Sequence, residues 1–157
     1  DDYIILGVGY SIQKSDVAWL NQTLAQYPDR TAILLAHWYL ELNDDPFEAD
    51  SESLHAVVAA NPNVRYVLCG HRHGLKHTAE EYDDNADGTP DRTVQAIMVD
   101  YQALPNGGDG YLMLITIDPA AREFRITSYS PLLEDYNYFD DESLETYTMP
   151  LSTVSDR

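Results

Sequence analysis

Two apolar runs of strand length, each followed by a histidine, constrain the fold of this chain most strongly. The first occupies residues 31–36 (TAILLA) and the second Val64–Cys69 (VRYVLC). A short apolar run without alternation predicts a strand that is covered on both faces, as in the parallel sheets of α/β proteins. Leu54, Val57 and Val58 have helical spacing between the two runs. We therefore expect two neighbouring parallel strands joined by a helical crossover.

The sequence before and after these runs completes an α/β pattern. Residues 3–8 predict another buried strand, and Val17, Leu20 and Leu24 predict a helix that follows it. Later segments separated by Gly, Pro and Asp predict antiparallel strands at 75–82, 93–100, 111–118 and 123–128, with a hairpin turn at 118–121. The predicted fold class is α/β, with parallel strands and helical crossovers followed by antiparallel strands.

The last part of the chain has a different character. From residue 131 onward the sequence is acidic, contains several tyrosines and is weakly periodic. Such a segment is expected to wrap over the surface or to be partly disordered. We therefore predict one domain over residues 1–130 and an acidic C-terminal extension over residues 131–157.

The charge balance limits the partners of the chain. It has 27 acidic and 9 basic residues and a formal net charge of -18, which repels nucleic acid and anionic membrane surfaces at long range. The acidic runs at 41–52, 80–91 and 134–145 are expected on solvated loops and tails. No run of 18 apolar residues occurs, so no membrane span is predicted. The acidity and the scarcity of lysine suit a secreted or cell-surface bacterial protein.

Histidines follow both central strands at the point where each strand ends. His37 comes directly after the first run, and the motif Gly70-His71-Arg72-His73 comes directly after the second. Parallel strands place ligand-binding groups at their carboxyl ends. Neutral imidazole binds divalent transition ions, and two rings in a turn can address two ions about 3.5–4 Å apart. The sequence therefore predicts that His37, His71 and His73 are metal ligands.

The two remaining histidines lie inside predicted elements. His55 falls within the second helix and His77 within a strand. Each is expected to be a surface residue or a hydrogen-bonded core residue, and neither is predicted to bind metal.

The histidine motifs belong to an ordered set that resembles the calcineurin-like metallophosphoesterases. The set comprises Trp19-Leu20, Ala32-Ile33-Leu34-Leu35-Ala36-His37, Val64-Arg65-Tyr66-Val67-Leu68-Cys69-Gly70-His71-Arg72-His73, Asp100-Tyr101-Gln102 and Asn106-Gly107-Gly108-Asp109-Gly110-Tyr111. The resemblance implies the C-terminal half of that family's α/β sandwich. It also implies hydrolysis of a phosphomonoester or phosphodiester with two divalent ions of Mn, Fe or Zn. By the same resemblance, His37 and His71 would bind one ion and His73 the other.

Three earlier motifs of that family do not occur in residues 1–157. They are Asp-x-His, Gly-Asp-x-x-Asp and Gly-Asn-His-Asp/Glu, which in the family supply the bridging carboxylate, further ligands and a histidine that assists the leaving group. We therefore expect the chain to act on a small phosphoester together with the N-terminal half of the same domain. Three neutral imidazoles neutralise none of the charge on two dications, so the isolated chain is expected to bind metal weakly and to hydrolyse little.

Three residues near these motifs are candidates to face the substrate. Arg72 lies between two predicted ligands, and Asn106 and Gly108 lie in a glycine-rich loop. A solvated or acid-paired arginine explains the first equally well, and a plain turn explains the loop.

An acidic loop resembles the first nine positions of a calcium-binding loop. Its candidate ligands are Asp83, Asn85, Asp87 and Asp91. The acid expected at the twelfth position is replaced by Val94, and no flanking helices are predicted. Calcium is therefore a possible second-site ion, and an acidic hairpin loop is the commoner explanation of such a sequence.

Two alternatives to a two-metal hydrolase stay open. A non-catalytic acidic α/β module would keep vestigial histidines and bind calcium or a protein partner through its loops. A complete single-zinc hydrolase would bind one ion with all three histidines. Three rings that converge on one point favour the single-zinc site, whereas rings directed at two points favour the two-metal site.

Overall fold

In the computed structural model, which describes residues 2–42 and 49–156, two β-sheets pack face to face. Two helices cover the other face of the larger sheet. The elements in chain order are β1 (Tyr3–Gly7), α1 (Lys14–Gln26), β2 (Thr31–Leu35), α2 (Ala49–Ala60), β3 (Val64–Cys69), β4 (Gly74–Tyr82), β5 (Arg92–Asp100), the short helix α3 (Pro105–Gly108), β6 (Leu112–Asp118), β7 (Glu123–Ser130), β8 (Asp135–Tyr136), a 3-10 turn (Glu142–Leu144) and β9 (Tyr147–Pro150). The predicted α/β fold class is confirmed. Within these ranges, none of the helices has the length and apolar character needed to cross a membrane.

The larger sheet has the strand order β1-β2-β3-β5-β4. Its first four strands in this order are parallel, and α1 and α2 form the predicted crossovers from β1 to β2 and from β2 to β3. The strand β5 is antiparallel to β4, as predicted, and it also lies parallel to β3, a pairing that the sequence did not predict. Its side chains enter the core on both faces of the sheet.

Alternate residues of the central strands separate the core into two parts. In β2, Leu34 packs under the helices, whereas Ile33 packs against the smaller sheet. Likewise in β3, Val67 joins the helical side and Tyr66 stacks on Phe124 of β7, with ring centroids 4.3 Å apart. The larger sheet is therefore a central layer, held rigidly from both sides.

The smaller sheet includes part of the segment that was expected to wrap over the surface or to be partly disordered. The strands β6 and β7 form the predicted hairpin, and β8 and β9 both pair with β7. Met149 and Leu151 enter the core, so the segment after residue 131 contributes to packing as well as to the surface. The division of the chain at residue 131 stays a prediction.

Within the part of the chain that the structure describes, two acidic residues are buried, although their runs were expected to be solvated. Glu41 has 2% of its surface exposed and Glu145 has none. Glu145 accepts hydrogen bonds from the Tyr101 hydroxyl and the Phe139 N–H, at 2.6 and 2.7 Å. One donor distant in sequence and one nearby thus compensate for the burial of the charge. Residues 43–48 of the first acidic run lie outside the described residues.

Candidate functional site

The carboxyl ends of four parallel strands lie side by side at one edge of the larger sheet. Gly7 of β1 pairs with Leu35 of β2, which in turn pairs with Leu68 of β3. The next pair joins Cys69 of β3 to Met98 of β5. Residues at or just beyond these strand ends therefore come together. They include Tyr10, His37 and His71, which follow strands, and Asp100, the last residue of β5.

The structure brings together two of the three predicted metal ligands. His37 Nε2 lies 2.9 Å from His71 Nδ1, so one of the two nitrogens donates its proton to the other when both rings are neutral. The Gly70 N–H also donates to the His37 carbonyl oxygen at 3.1 Å, which joins the two loops through the backbone. The pair is thus fixed by contacts between the loops after β2 and β3.

The turn that carries His71 has a constrained backbone. His71 has a φ of +69°, in the left-handed region that side chains other than glycine seldom adopt. At the preceding position, a Cβ on Gly70 would lie 3.3 Å from the Val99 carbonyl oxygen, closer than most Cβ atoms approach an oxygen. Gly70 is therefore required because β5 approaches it closely. The strained backbone conformation, in contrast, is that of His71.

Aromatic rings surround this histidine pair. Tyr10 lies edge-on to His37 at a centroid distance of 5.1 Å and also contacts His71 at 6.0 Å. The indole of Trp38 lies 4.4 Å from the His71 ring. The guanidinium of Arg72 lies over the same indole at 4.6 Å.

The surroundings of His71 favour its neutral form. Burial of the ring lowers the pKa of His71, and electrostatic interactions with His37, Arg72 and His73 act in the same direction. The Asp100 carboxylate opposes them. A neutral imidazole keeps the lone pair that a metal ion requires.

His73, the third predicted ligand, pairs with a carboxylate that the sequence did not identify as a site residue. Its Nδ1 lies 3.1 Å from Asp100 Oδ2, and Asp100 Oδ1 accepts the Gln102 N–H at 2.9 Å. Asp100 belonged to the motif set and ends a strand that was predicted to be antiparallel. The antiparallel pairing of β5 with β4 places Asp100 opposite Gly74, the residue after His73, and so brings the carboxylate to this ring.

Two of the three predicted ligands, His37 and His71, contact each other, whereas His73 contacts Asp100. Among residues 2–42 and 49–156, no three His, Cys, Asp or Glu side chains are grouped closely enough to hold a metal ion together. The single-zinc alternative would require three rings directed at one point. The role of each histidine as a ligand stays a prediction.

The candidate substrate-facing residues have different surroundings. Arg72 Nε donates to Glu41 Oε2 at 2.6 Å, so this arginine is paired with an acid. Gly108 is buried, and a Cβ there would lie 2.4 Å from the Cβ of Tyr101, which accounts for the glycine by packing. Asn106 is exposed and has a φ of +55°. Contact of these three residues with a substrate stays a prediction.

The acidic loop between β4 and β5 directs its candidate calcium ligands at its own backbone. Asp83 accepts the N–H groups of Asp87 and Gly88, and Asp91 accepts the N–H groups of Asp84 and Asn85. Such bonds stabilise a tight hairpin loop with or without an ion. Calcium binding stays a prediction, which a rise in melting temperature at millimolar calcium would support.

The two other histidines have the packed positions expected of them. The ring of His55 stacks on Tyr39 at 3.9 Å, and its Nδ1 lies 3.7 Å from Glu80. His77 Nε2 forms a 2.7 Å hydrogen bond with Gln95 Oε1, and its ring stacks on Tyr147 at 5.3 Å.

Comparisons with known proteins give a fold but no family. No protein-family model matches the chain. A protein of Bacillus subtilis known as the uncharacterized protein YvnB is 41% identical over 143 residues, which cover 91% of this chain and 11% of that relative. The chain thus spans about a tenth of the length of this relative. A crystal structure of a dimetal phosphatase from Danio rerio superposes with a TM-score of 0.58 and 13% identity, over 90% of this chain and 39% of the phosphatase. The chain and part of that phosphatase therefore share a fold.

Proposed function

We propose that this chain supplies His37, His71 and His73 to a two-metal site that hydrolyses a phosphomonoester or phosphodiester. The observation that carries the proposal is the 2.9 Å approach of His37 Nε2 to His71 Nδ1 at the carboxyl edge of the parallel sheet. Two nitrogens that bind one ion at about 2.0–2.1 Å stand about 2.8–3.4 Å apart, for ligand angles between octahedral and tetrahedral values. The pair therefore fits the spacing of two ligands of one ion.

The second ion would be held in part by His73. Because Asp100 engages Nδ1 of this ring, Nε2 is the nitrogen that remains for the metal. A carboxylate that accepts the other N–H of a ligating histidine fixes the tautomer and the direction of the ring. Asp100 is thus the orienting partner of His73 in this proposal.

The remaining ligands would come from outside residues 1–157. Carboxylates are needed to balance two dications, and Asp100 is already occupied by His73 and the Gln102 N–H. The dimetal phosphatase with the same fold is longer than this chain, which supports a site completed by further polypeptide. The proposed partner is accordingly the N-terminal half of the same domain.

Metal ions in such a site activate water and stabilise charge on the phosphate oxygens. The residues of this chain would set the directions from which those ions are bound, and the aromatic rings of Tyr10 and Trp38 would limit the access of bulk water to His71. Arg72 lies between the predicted ligands His71 and His73. Its guanidinium would approach the phosphate while Nε stays bonded to Glu41. The formal charge of -18 favours a small substrate over bulk nucleic acid.

An activity assay with two polypeptides tests the proposal. Residues 1–157 and a longer form that includes the preceding region are each supplied with manganese or zinc and a chromogenic phosphodiester. We expect turnover by the longer form and little turnover by residues 1–157. Robust turnover by residues 1–157 alone would refute the divided site, and an inactive, metal-free longer form would refute the proposed chemistry.

A further inference from the structure

A buried carboxylate joins the two loops that carry the histidine pair. Glu41 has 2% of its surface exposed, and each of its carboxylate oxygens has a donor. Trp38 Nε1 donates to Oε1 at 2.8 Å, and Arg72 Nε donates to Oε2 at 2.6 Å. In addition, Lys76 Nζ donates to the Glu41 carbonyl oxygen. Since a buried charge is unfavourable without partners, these bonds fix the carboxylate in one place.

The donors come from both sides of the histidine pair. Trp38 follows His37 in the loop after β2, whereas Arg72 follows His71 in the loop after β3. Glu41 therefore connects the loop of one histidine to the loop of the other. The three side chains form a compact group, because the Arg72 guanidinium also lies over the Trp38 ring at 4.6 Å.

This group contacts His71 on its ring and on its backbone. The Trp38 indole lies 4.4 Å from the imidazole, with the two planes 37° apart. The positive φ of +69° at His71 is a strained conformation that persists only where neighbouring contacts enforce it. The anchored side chain of the next residue, Arg72, is such a contact.

We propose that Glu41 is a positioning residue, which holds Trp38 and Arg72 so that His71 Nδ1 faces His37 Nε2. Its effect on metal affinity rests on the proposed function, whereas its effect on the geometry of the two rings does not. The substitution Glu41→Gln separates this role from simple packing. The glutamine has nearly the same size, but its amide has one oxygen for two donors and brings an N–H group against another N–H.

The experiment uses residues 1–157 without metal and then with zinc. Ring resonances of His37 and His71 are assigned by NMR, and the contact between the rings is measured through cross-relaxation of their protons. For Glu41→Gln we expect loss of that contact. We also expect the chemical shifts of the His71 ring protons to change, because the ring current of the Trp38 indole no longer acts on them. Zinc is then added up to millimolar concentration, and we expect its apparent Kd at these rings to rise about tenfold.

A matched control removes the same charge elsewhere. Glu81→Gln changes an exposed glutamate of β4 and is expected to leave the ring contact and the zinc titration unchanged. If Glu41→Gln does not fold, Glu41→Asp replaces it, because the aspartate keeps the charge but is one methylene too short to reach both donors. An unchanged contact between His37 and His71 in a folded variant at position 41 would overturn the proposal.

The two proposals fail in different ways in this experiment. If zinc perturbs neither ring in the unaltered chain, the metal-binding role of the pair is refuted. The metal-free contact between the rings still decides whether Glu41 positions His71.

Discussion

The five histidines of this chain occupy two kinds of environment. His37, His71 and His73 lie just beyond strand ends, where a ring nitrogen of each approaches another ionisable side chain within 3.1 Å. His55 and His77 lie within α2 and β4, where each ring stacks on a tyrosine at an interplanar angle of 25° or less. The first group has nitrogens directed at one another or at a carboxylate, and the second has rings used for packing.

The difference follows from where the backbone turns. Inside a helix or strand, regular geometry directs a side chain at the neighbouring element, so an imidazole packs like any flat ring. Beyond the ends of parallel strands, chain segments from different crossovers converge at one edge. A histidine is therefore a candidate ligand because of its position relative to a strand end, and the number of histidines in the chain adds little.

The largest expected effect is the difference in metal binding between two single substitutions, one in each group of histidines. In the longer form proposed above, His71→Ala should weaken metal binding more than about 100-fold, because it removes a proposed ligand rather than an orienting partner. His77→Ala should leave metal content within about twofold. Metal analysis of the purified variants makes the comparison. Full metal content in His71→Ala would remove the distinction between the two groups.

The second largest effect is expected from a substitution of Asp100, the carboxylate beside His73. Asp100→Asn keeps the size of the side chain but replaces one oxygen with an amide, so it no longer enforces one tautomer of His73. We expect the affinity of one ion to fall about tenfold while the ion at His37 and His71 is retained. Zinc or manganese titration with two resolved stoichiometries measures this. The exposed Asp29→Asn serves as the matched control, and loss of both ions together would contradict separate sites.

Much of the fold was predictable because its signals are local. The apolar runs before His37 and Gly70 predicted β2 and β3, and helical spacing between them predicted the parallel crossover. The meeting of His37 with His71 then follows from the adjacency of two parallel strands. The local sequence thus contains enough information to place two of the three predicted ligands side by side.

The partners of these histidines were not predictable in the same way. Asp100 reaches His73 because β4 and β5 pair in the register that sets Asp100 opposite Gly74, and the strand patterns in the sequence do not specify that register. Glu41 lies in an acidic run whose average character indicated solvent exposure. Its burial depends on Trp38 and on Arg72, which is 31 positions away in sequence. The positions of the Asp100 and Glu41 carboxylates thus depend on partners that are distant in sequence.

Stability measurements examine the second group of histidines. His55→Ala removes a ring that stacks on the buried Tyr39, and we expect the free energy of unfolding to fall by about 2 kcal/mol with metal binding unchanged. Chemical denaturation of the two proteins at pH 7 tests this value.

The same variant has an expected dependence on pH. Burial lowers the pKa of His55, so below a pH of about 6.5 the unfolded chain takes up a proton before the folded chain does. The folded state of the unaltered protein is therefore penalised as the pH falls, and the His55→Ala variant escapes this penalty. The stability difference between the two should shrink between about pH 7 and about pH 5. A difference that grows on acidification would indicate that Glu80, rather than burial, controls this histidine.

The smallest effect is expected at His77. His77→Ala removes a hydrogen bond to Gln95 and a stack on Tyr147, but this ring lies at the surface, where water can replace the lost donor. Because Gln95 itself is 9% exposed, part of the cost of an unsatisfied oxygen should remain. We expect a loss of about 1 kcal/mol in the free energy of unfolding. His77→Gln should recover part of this loss, since an amide can donate to Gln95. If His77→Ala lowers the free energy of unfolding more than His55→Ala does, the exposure of the ring does not determine how much each of these two histidines stabilises the fold. The difference between the two groups of histidines would then depend on metal binding alone.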